Sequence, residues 1–253
     1  MTISNNGDLE GMQRVGRLVA EAHVWLATQV APGMTTAELD ERGARFLKAR
    51  GARSAPQLTY GFPGFNLISV NDEIVHGIPG ARGLRPGDVV KLDITAELDG
   101  YIADAARTIV LPGAPRVAKD LARCARQAFR AAIHVIAPGA PVRLIGRAIE
   151  RTARKSGFSV LRELTGHGVG RTIHEKPTVP NFDDPCERAT LHEGLVIAVE
   201  PLLSSVPAVV VEDPDGWTLR TSNGALAVHH ENTVVVRNGR PLILTSTSDL
   251  LAA

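Results

Sequence analysis

The sequence predicts an α+β fold in one domain spanning residues 1–253. Helical and strand patterns come in blocks rather than strictly alternating, and the strand blocks are punctuated by glycine, proline and Asp-Gly turns. Residues 8–30 and 35–50 carry helical periodicity and are separated by the breaker "APGMTTAE", in which Thr-Thr-Ala-Glu is a helix start with capping-box spacing. Strand patterns then run through "NLISVNDEIVHGI", "GDVVKLDITAEL" and "GYIADAARTIVL". Helices return at about 115–137 and 142–156 with Pro-Gly between them. Most of the remainder is strand, including "EGLVIAVEPLL" and "ALAVHHENTVVV".

The composition, 44% hydrophobic and 22% charged, is that of an ordinary globular protein. A formal net charge of +1 gives no electrostatic case for nucleic acid or a membrane surface as partner. The arginines of "RVAKDLARCARQAFRAA" read as the solvated face of a helix. The start, "MTISNNGDLEGMQRV", has no basic segment followed by an apolar one, and no apolar run is long enough to cross a bilayer. A cytoplasmic protein is expected. Cys124 and Cys186 lack metal or redox spacing, which fits a reducing compartment.

Asp99-Gly100 favours a two-residue hairpin turn because both central residues need positive φ. With the turn there, Leu98 faces Tyr101, Ala96 faces Ala103 and Thr95 faces Asp104. Alternation puts Asp93 on the face of Thr95, hence of Asp104, with the two carboxylates diagonal neighbours roughly 7–8 Å apart at the backbone. Such a pair calls for a cation between the groups or a proton on one of them. A turn displaced by one residue would instead leave one aspartate on a solvent face.

The pattern has an internal echo. "GDVVKLD" and "GLVIAVE" each run from glycine through an apolar strand to an acid, Asp93 and Glu200, and each is followed by a second acid on a later strand, Asp104 and Glu231. Read as a duplication, this brings four carboxylates towards one centre. "TGHGVGRTIHE" adds His167 and His174, with Gly166, Gly168 and Gly170 suggesting a backbone held tightly against a neighbour. Alone, a histidine among glycines is more often a loop residue. Together with the four acids it forms an oxygen-and-imidazole set that suits Mn, Fe, Co or Zn ions in a two-metal site. There is no His-Glu-x-x-His, no Gly-x-Ser-x-Gly and no nucleotide-binding loop.

"NDEIVHGIP", "KLDITAELDGYIADAART", "GHGVGRTIHEKPTVPNF", "IAVEP" and "DGWTLRTSNGALAVHHENT" together resemble the type I methionine aminopeptidases, in their short bacterial form. The resemblance implies the pita-bread fold, two pseudo-twofold halves with a curved antiparallel sheet and outer helices. It also implies removal of the initiator methionine from nascent chains when the next residue is small. Carried over, Asp93 chelates one ion, His167 and Glu200 the other, and Asp104 and Glu231 bridge the two. The bridging hydroxide attacks the first peptide bond, Glu200 shuttles protons, His174 faces the carbonyl oxygen, and His76 contacts the scissile nitrogen or the following backbone. Tyr60, Phe62 and Trp217 are expected to form the side-chain pocket, although Phe62 beside Pro63 also reads as core packing and Trp217 as cover for a turn. The resemblance further implies two divalent ions, a transient encounter with the ribosome and a monomer.

The chain departs from the family pattern around the last ligand, where Gln-x-Glu-His-Thr is usual and His229, His230, Glu231, Asn232 and Thr233 stand. By alternation His229 shares the face of Glu231, where it is expected to support the ligands. Pro56, Thr59, Tyr60, Leu67 and Ile173 also depart, mostly at positions expected around the pocket. Two rivals follow: another exopeptidase of this fold acting on Xaa-Pro bonds, and a non-catalytic binding protein. The motif "NDEIVHGIP" and the intact five ligands favour the methionine enzyme.

Overall fold

The computed structural model describes residues 1–247. Helix α1 (Asn6–Ala27) starts where the Asn5 side chain accepts a hydrogen bond from the Asp8 amide, and it buries a stripe that includes Met12, Val15, Val19 and Leu26. Helix α2 (Thr36–Lys48) opens with the expected capping box between Thr35 and Glu38. A short helix, α3 (Ala55–Tyr60), is capped by Ser54 and closed by Gly61 in the left-handed region. Helix α1 packs on the hairpin formed by strands Val89–Leu98 and Tyr101–Val110.

That hairpin has the register its turn predicts. Asp99 and Gly100 both have positive φ, 53° and 80°, and Thr95 pairs with Asp104, Ala96 with Ala103 and Leu98 with Tyr101. Strand Val89–Leu98 also pairs with Leu67–Val70 and Arg53–Ser54, completing a four-stranded antiparallel sheet.

The other half is built on α4 (Arg116–Ile133) and α5 (Arg143–Lys155). Helix α4 buries Leu121, Ala125, Ala128 and Ala132 while Arg116 and Arg123 face solvent, as the arginine spacing predicts. These helices cover a five-stranded antiparallel sheet in the order Leu242–Ile243, Asn232–Val235, Val196–Val199, Thr165–Gly168, Glu175–Pro180. A three-stranded sheet, Ala227–His229, Leu202–Ser204 and Ser159–Val160, continues beside it.

Two sequence runs that read as single strands are each broken in two. "EGLVIAVEPLL" stops at Val199 and resumes at Leu202, and "ALAVHHENTVVV" stops at His229 and resumes at Asn232. Pro201 has no N–H to offer the ladder, so the chain passes from one sheet to the other there. Glu200 and Glu231 sit in the two breaks. The halves join at the same place: the Glu231 amide donates to the Ala106 carbonyl at 3.0 Å, and the Thr233 hydroxyl donates to the Asp104 carbonyl at 2.8 Å while accepting from the Asp104 amide at 2.9 Å. Among the described residues no helix is long and apolar enough to cross a membrane.

Candidate metal centre

The ten residues to which the resemblance assigns a role, Tyr60, Phe62, His76, Asp93, Asp104, His167, His174, Glu200, Trp217 and Glu231, line one cleft of about 150 Å³, and His229 lines it with them. Asp93 and Asp104 reach it from the hairpin, Glu200 and Glu231 from the two strand breaks, and His167 from Thr165–Gly168. The four carboxylates are buried. Burial, reinforced by repulsion from the neighbouring carboxylates, raises Asp93, Glu200 and Glu231 well above the usual carboxylate range. Burial also pushes Asp104 up, to about 6, against the pull of a hydrogen bond from the Thr95 hydroxyl at 2.8 Å. Asp93 Oδ1 and Glu231 Oε1 are buried without a hydrogen-bond partner.

Such a cluster is costly unless positive charge enters it. Asp104, His167 and Glu231 each offer a ligand atom within 4.8 Å of the others, and so do Asp93, His229 and Glu231. Carboxylate oxygen with imidazole nitrogen and no thiolate is a donor set that fits a divalent transition ion.

The histidines differ in their surroundings. His167 Nδ1 lies 2.9 Å from the Gly168 carbonyl, so this nitrogen carries the hydrogen and Nε2 keeps a free lone pair. Nε2 lies 3.5 Å from Glu200 Oε1 and 4.0 Å from Asp104 Oδ2. Burial, then nearby His174, holds His167 down to about 4, so the ring is neutral at pH 7. The glycines around it answer the question their spacing poses. A Cβ on Gly166 would lie 2.4 Å from the Ala198 carbonyl, and one on Gly168 would lie 2.2 Å from that of Lys176. The His174 ring stacks edge-on against His167 with centroids 4.3 Å apart, and its Nδ1 lies 2.5 Å from the Tyr60 hydroxyl. The preceding turn is tied down by Glu175 Oε1, which accepts from the Arg171 and Thr172 amides at 2.8 and 2.9 Å. His76 sits at a left-handed φ of 59°, and burial lowers it to about 4.

Residues 10–238 match metallopeptidase family M24. The chain belongs to that family. It is 40% identical to methionine aminopeptidase 2 of Bacillus subtilis (strain 168) over 247 residues, 97% of this chain and 99% of that one. It is 36% identical to a methionine aminopeptidase of Staphylococcus epidermidis over 251 residues, 98% of this chain and 100% of the relative. The solved methionine aminopeptidase from Rickettsia prowazekii superposes with a TM-score of 0.92 at 33% identity, covering 97% of this chain and 100% of that one. The prolidase from Pyrococcus furiosus, at 20% identity and a TM-score of 0.79 over 98% of this chain and 66% of its own, shares the fold alone. That fold is the pita-bread fold, and membership of a metallopeptidase family implies use of a divalent metal, which the carboxylate and histidine cluster fits.

Around this M24 centre the structure adds contacts that the sequence alone does not show. Phe62 is buried and meets Trp217 edge to face, with ring centroids 5.2 Å apart. Tyr60 lines the cleft, but its hydroxyl is spent on His174. Of the residues that depart from the family pattern, Pro56, Leu67 and Ile173 line the cleft; Thr59 is exposed and is not among its lining residues. Arg107 is the clearest omission. Half-buried on the second strand of the hairpin, it donates to the Glu231 carbonyl, to Asn232 Oδ1 at 2.6 Å and to the Thr245 carbonyl at 2.9 Å. Its spacing marks only an arginine on a strand, and its partners lie more than 120 residues away.

Proposed function

We propose that this chain is a methionine aminopeptidase, removing the initiator methionine from nascent polypeptide N-termini when the second residue is small. Two divalent ions (Co, Mn, Fe or Zn) would be held by Asp93 on one side and His167 with Glu200 on the other, with Asp104 and Glu231 shared. The observation that carries the reading is the convergence of these five residues with His76 and His174 on one cleft. It is supported by 36–40% identity to methionine aminopeptidases over nearly the whole chain. The reading includes a cytoplasmic monomer that meets its substrate transiently at the ribosome.

When bound, the ions lower the pKa of coordinated water and polarise the first peptide carbonyl. Glu200, at the cleft surface of its strand break, takes the proton released in the attack and returns it to the departing amine. Burial raises the Tyr60 phenol above its ordinary value, so it stays protonated and donates to His174 Nδ1. His174 Nε2 then carries the ring hydrogen and donates to the carbonyl oxygen as negative charge develops. His76, neutral at pH 7, contacts the scissile nitrogen or the following backbone. Phe62 and Trp217, with Tyr60 at the rim, receive the methionine side chain.

Asp104→Asn tests the shared-ligand reading. Wild-type protein dialysed against Co(II) is expected to hold two ions per chain by elemental analysis, and Asp104→Asn to lose tight binding of both together with hydrolysis of Met-Ala-Ser. Two tightly held ions in the variant would contradict the assignment.

A further inference from the structure

Two triplets in the cleft share Glu231, and each contains one imidazole: Asp104, His167 and Glu231, and Asp93, His229 and Glu231. Building on the two-ion reading above, we propose that His229 coordinates the Asp93-side ion directly through Nε2.

Three observations carry this assignment. His229 Nε2 lies 3.5 Å from Glu200 Oε2 and 3.5 Å from Glu231 Oε2. Donor atoms about 2.0–2.2 Å from one tetrahedral or octahedral ion stand roughly 3.0–3.5 Å from each other, so the separation from Glu231, which shares the Asp93 triplet, is that of a co-ligand. Second, the ring is 2% exposed and neither of its nitrogens has a hydrogen-bond partner. A buried imidazole without a partner, grouped with Asp93 and Glu231 carboxylates that each keep one unpartnered oxygen, costs stability unless something electron-poor lies between them. Third, the residue is held rigidly: its amide donates to the Thr108 hydroxyl at 3.0 Å, its carbonyl accepts from that hydroxyl at 2.8 Å, and it pairs with Leu202 across the ladder.

Glu200 lies between the two imidazoles, with one oxygen 3.5 Å from His167 Nε2 and the other 3.5 Å from His229 Nε2. The consequence is a centre with an imidazole at each end. A nitrogen donor shifts the Asp93 side away from hard ions such as Mg and Mn and towards Co, Zn and Fe(II).

The test is paramagnetic proton NMR of the protein loaded with two equivalents of Co(II), counting strongly shifted signals that vanish in D₂O. Each Co(II)-bound imidazole contributes one such N–H signal. Wild type is expected to show two, His229→Gln one, and His167→Gln the other one. Calorimetric titration of His229→Gln is expected to weaken one Co(II) site at least tenfold and leave the other unchanged. A single exchangeable signal in wild type holding two ions overturns the proposal without recourse to a variant. So do an unchanged signal count and unchanged affinities in His229→Gln. Failure of wild-type protein to bind Co(II) at all would instead overturn the two-ion reading itself.

Discussion

Replacing Gly166 with alanine should damage the metal centre without touching a ligand. The added Cβ would stand 2.4 Å from the Ala198 carbonyl oxygen and 3.2 Å from Val179 Cβ, where ordinary contact begins at 3.4 Å. Both obstacles belong to strands flanking Thr165–Gly168, and the closer one is backbone, so no side chain can rotate away. The strands must part by about 1 Å in a close-packed interior. Overpacking of this kind costs about 1–3 kcal/mol. Ala198 lies two residues before Glu200, and Gly166 one before His167, so the separation falls directly between two groups now 3.5 Å apart. Metal–ligand distances tolerate roughly 0.2 Å. The expected result is a loss of about 1–3 kcal/mol in urea denaturation of metal-free protein, with Co(II) affinity lowered at least about tenfold by calorimetry. Metal-free stability within about 0.5 kcal/mol of wild type, together with unchanged affinity, would refute the account of why glycine stands there.

Three further outcomes are expected. His174→Ala and His76→Ala should retain metal by elemental analysis while kcat on Met-Ala-Ser falls, for His174 by about 10²–10³ as for a lost oxyanion donor; metal loss in both variants would end their assignment as non-ligands. His23 is buried, lies 2.8 Å from the Ala105 carbonyl, and is held down to about 3 by burial and then by Arg107. Its folded pKa is below the unfolded value near 6.5, so the unfolded chain binds the extra proton and this stability, complete above pH 6.5, is lost as pH falls towards 3. Between pH 7 and 5.5 wild type should lose about 1 kcal/mol more unfolding free energy in urea denaturation than His23→Gln, and equal losses would contradict the burial argument. Arg107→Met should cost about 2–3 kcal/mol, because the carbonyls of Glu231 and Thr245 and Asn232 Oδ1 lose a charged donor at a half-buried position. A change below about 1 kcal/mol would show that water replaces it.

Where local chemistry decides the backbone, the sequence is readable. Asp99-Gly100 sets the hairpin turn, and from it the register that puts Asp93 and Asp104 on one face follows by counting. Thr35 and Glu38 announce α2, and the glycines beside His167 announce close backbone contact. Elements decided by distant partners are less readable. Helix α3 is six residues long, too short to show a period, although its Ser54 cap, Pro56 and Gly61 are all present. The broken strands at Glu200 and Glu231 read as continuous because apolar alternation runs through both, and only Pro201 hints at the change of sheet. Tyr60 looks like a pocket aromatic; its bond to His174 spans 114 residues and has no local signature. Likewise, alternation puts His229 on the ligand face but cannot distinguish a supporting residue from a coordinating one. Its 3.5 Å separation from Glu231 and its two unpartnered ring nitrogens are what the proposal of coordination rests on.

The most direct test of the central claim is hydrolysis of Met-Ala-Ser, Leu-Ala-Ser and Ala-Pro-Ser by protein stripped of metal and then given Mn, Co, Fe or Zn separately. The account predicts no turnover without metal, and with it release of methionine from Met-Ala-Ser far ahead of any release from the other two peptides. Metal bound at the centre with no methionine released under any ion, or preferential cleavage of Ala-Pro-Ser, would contradict it.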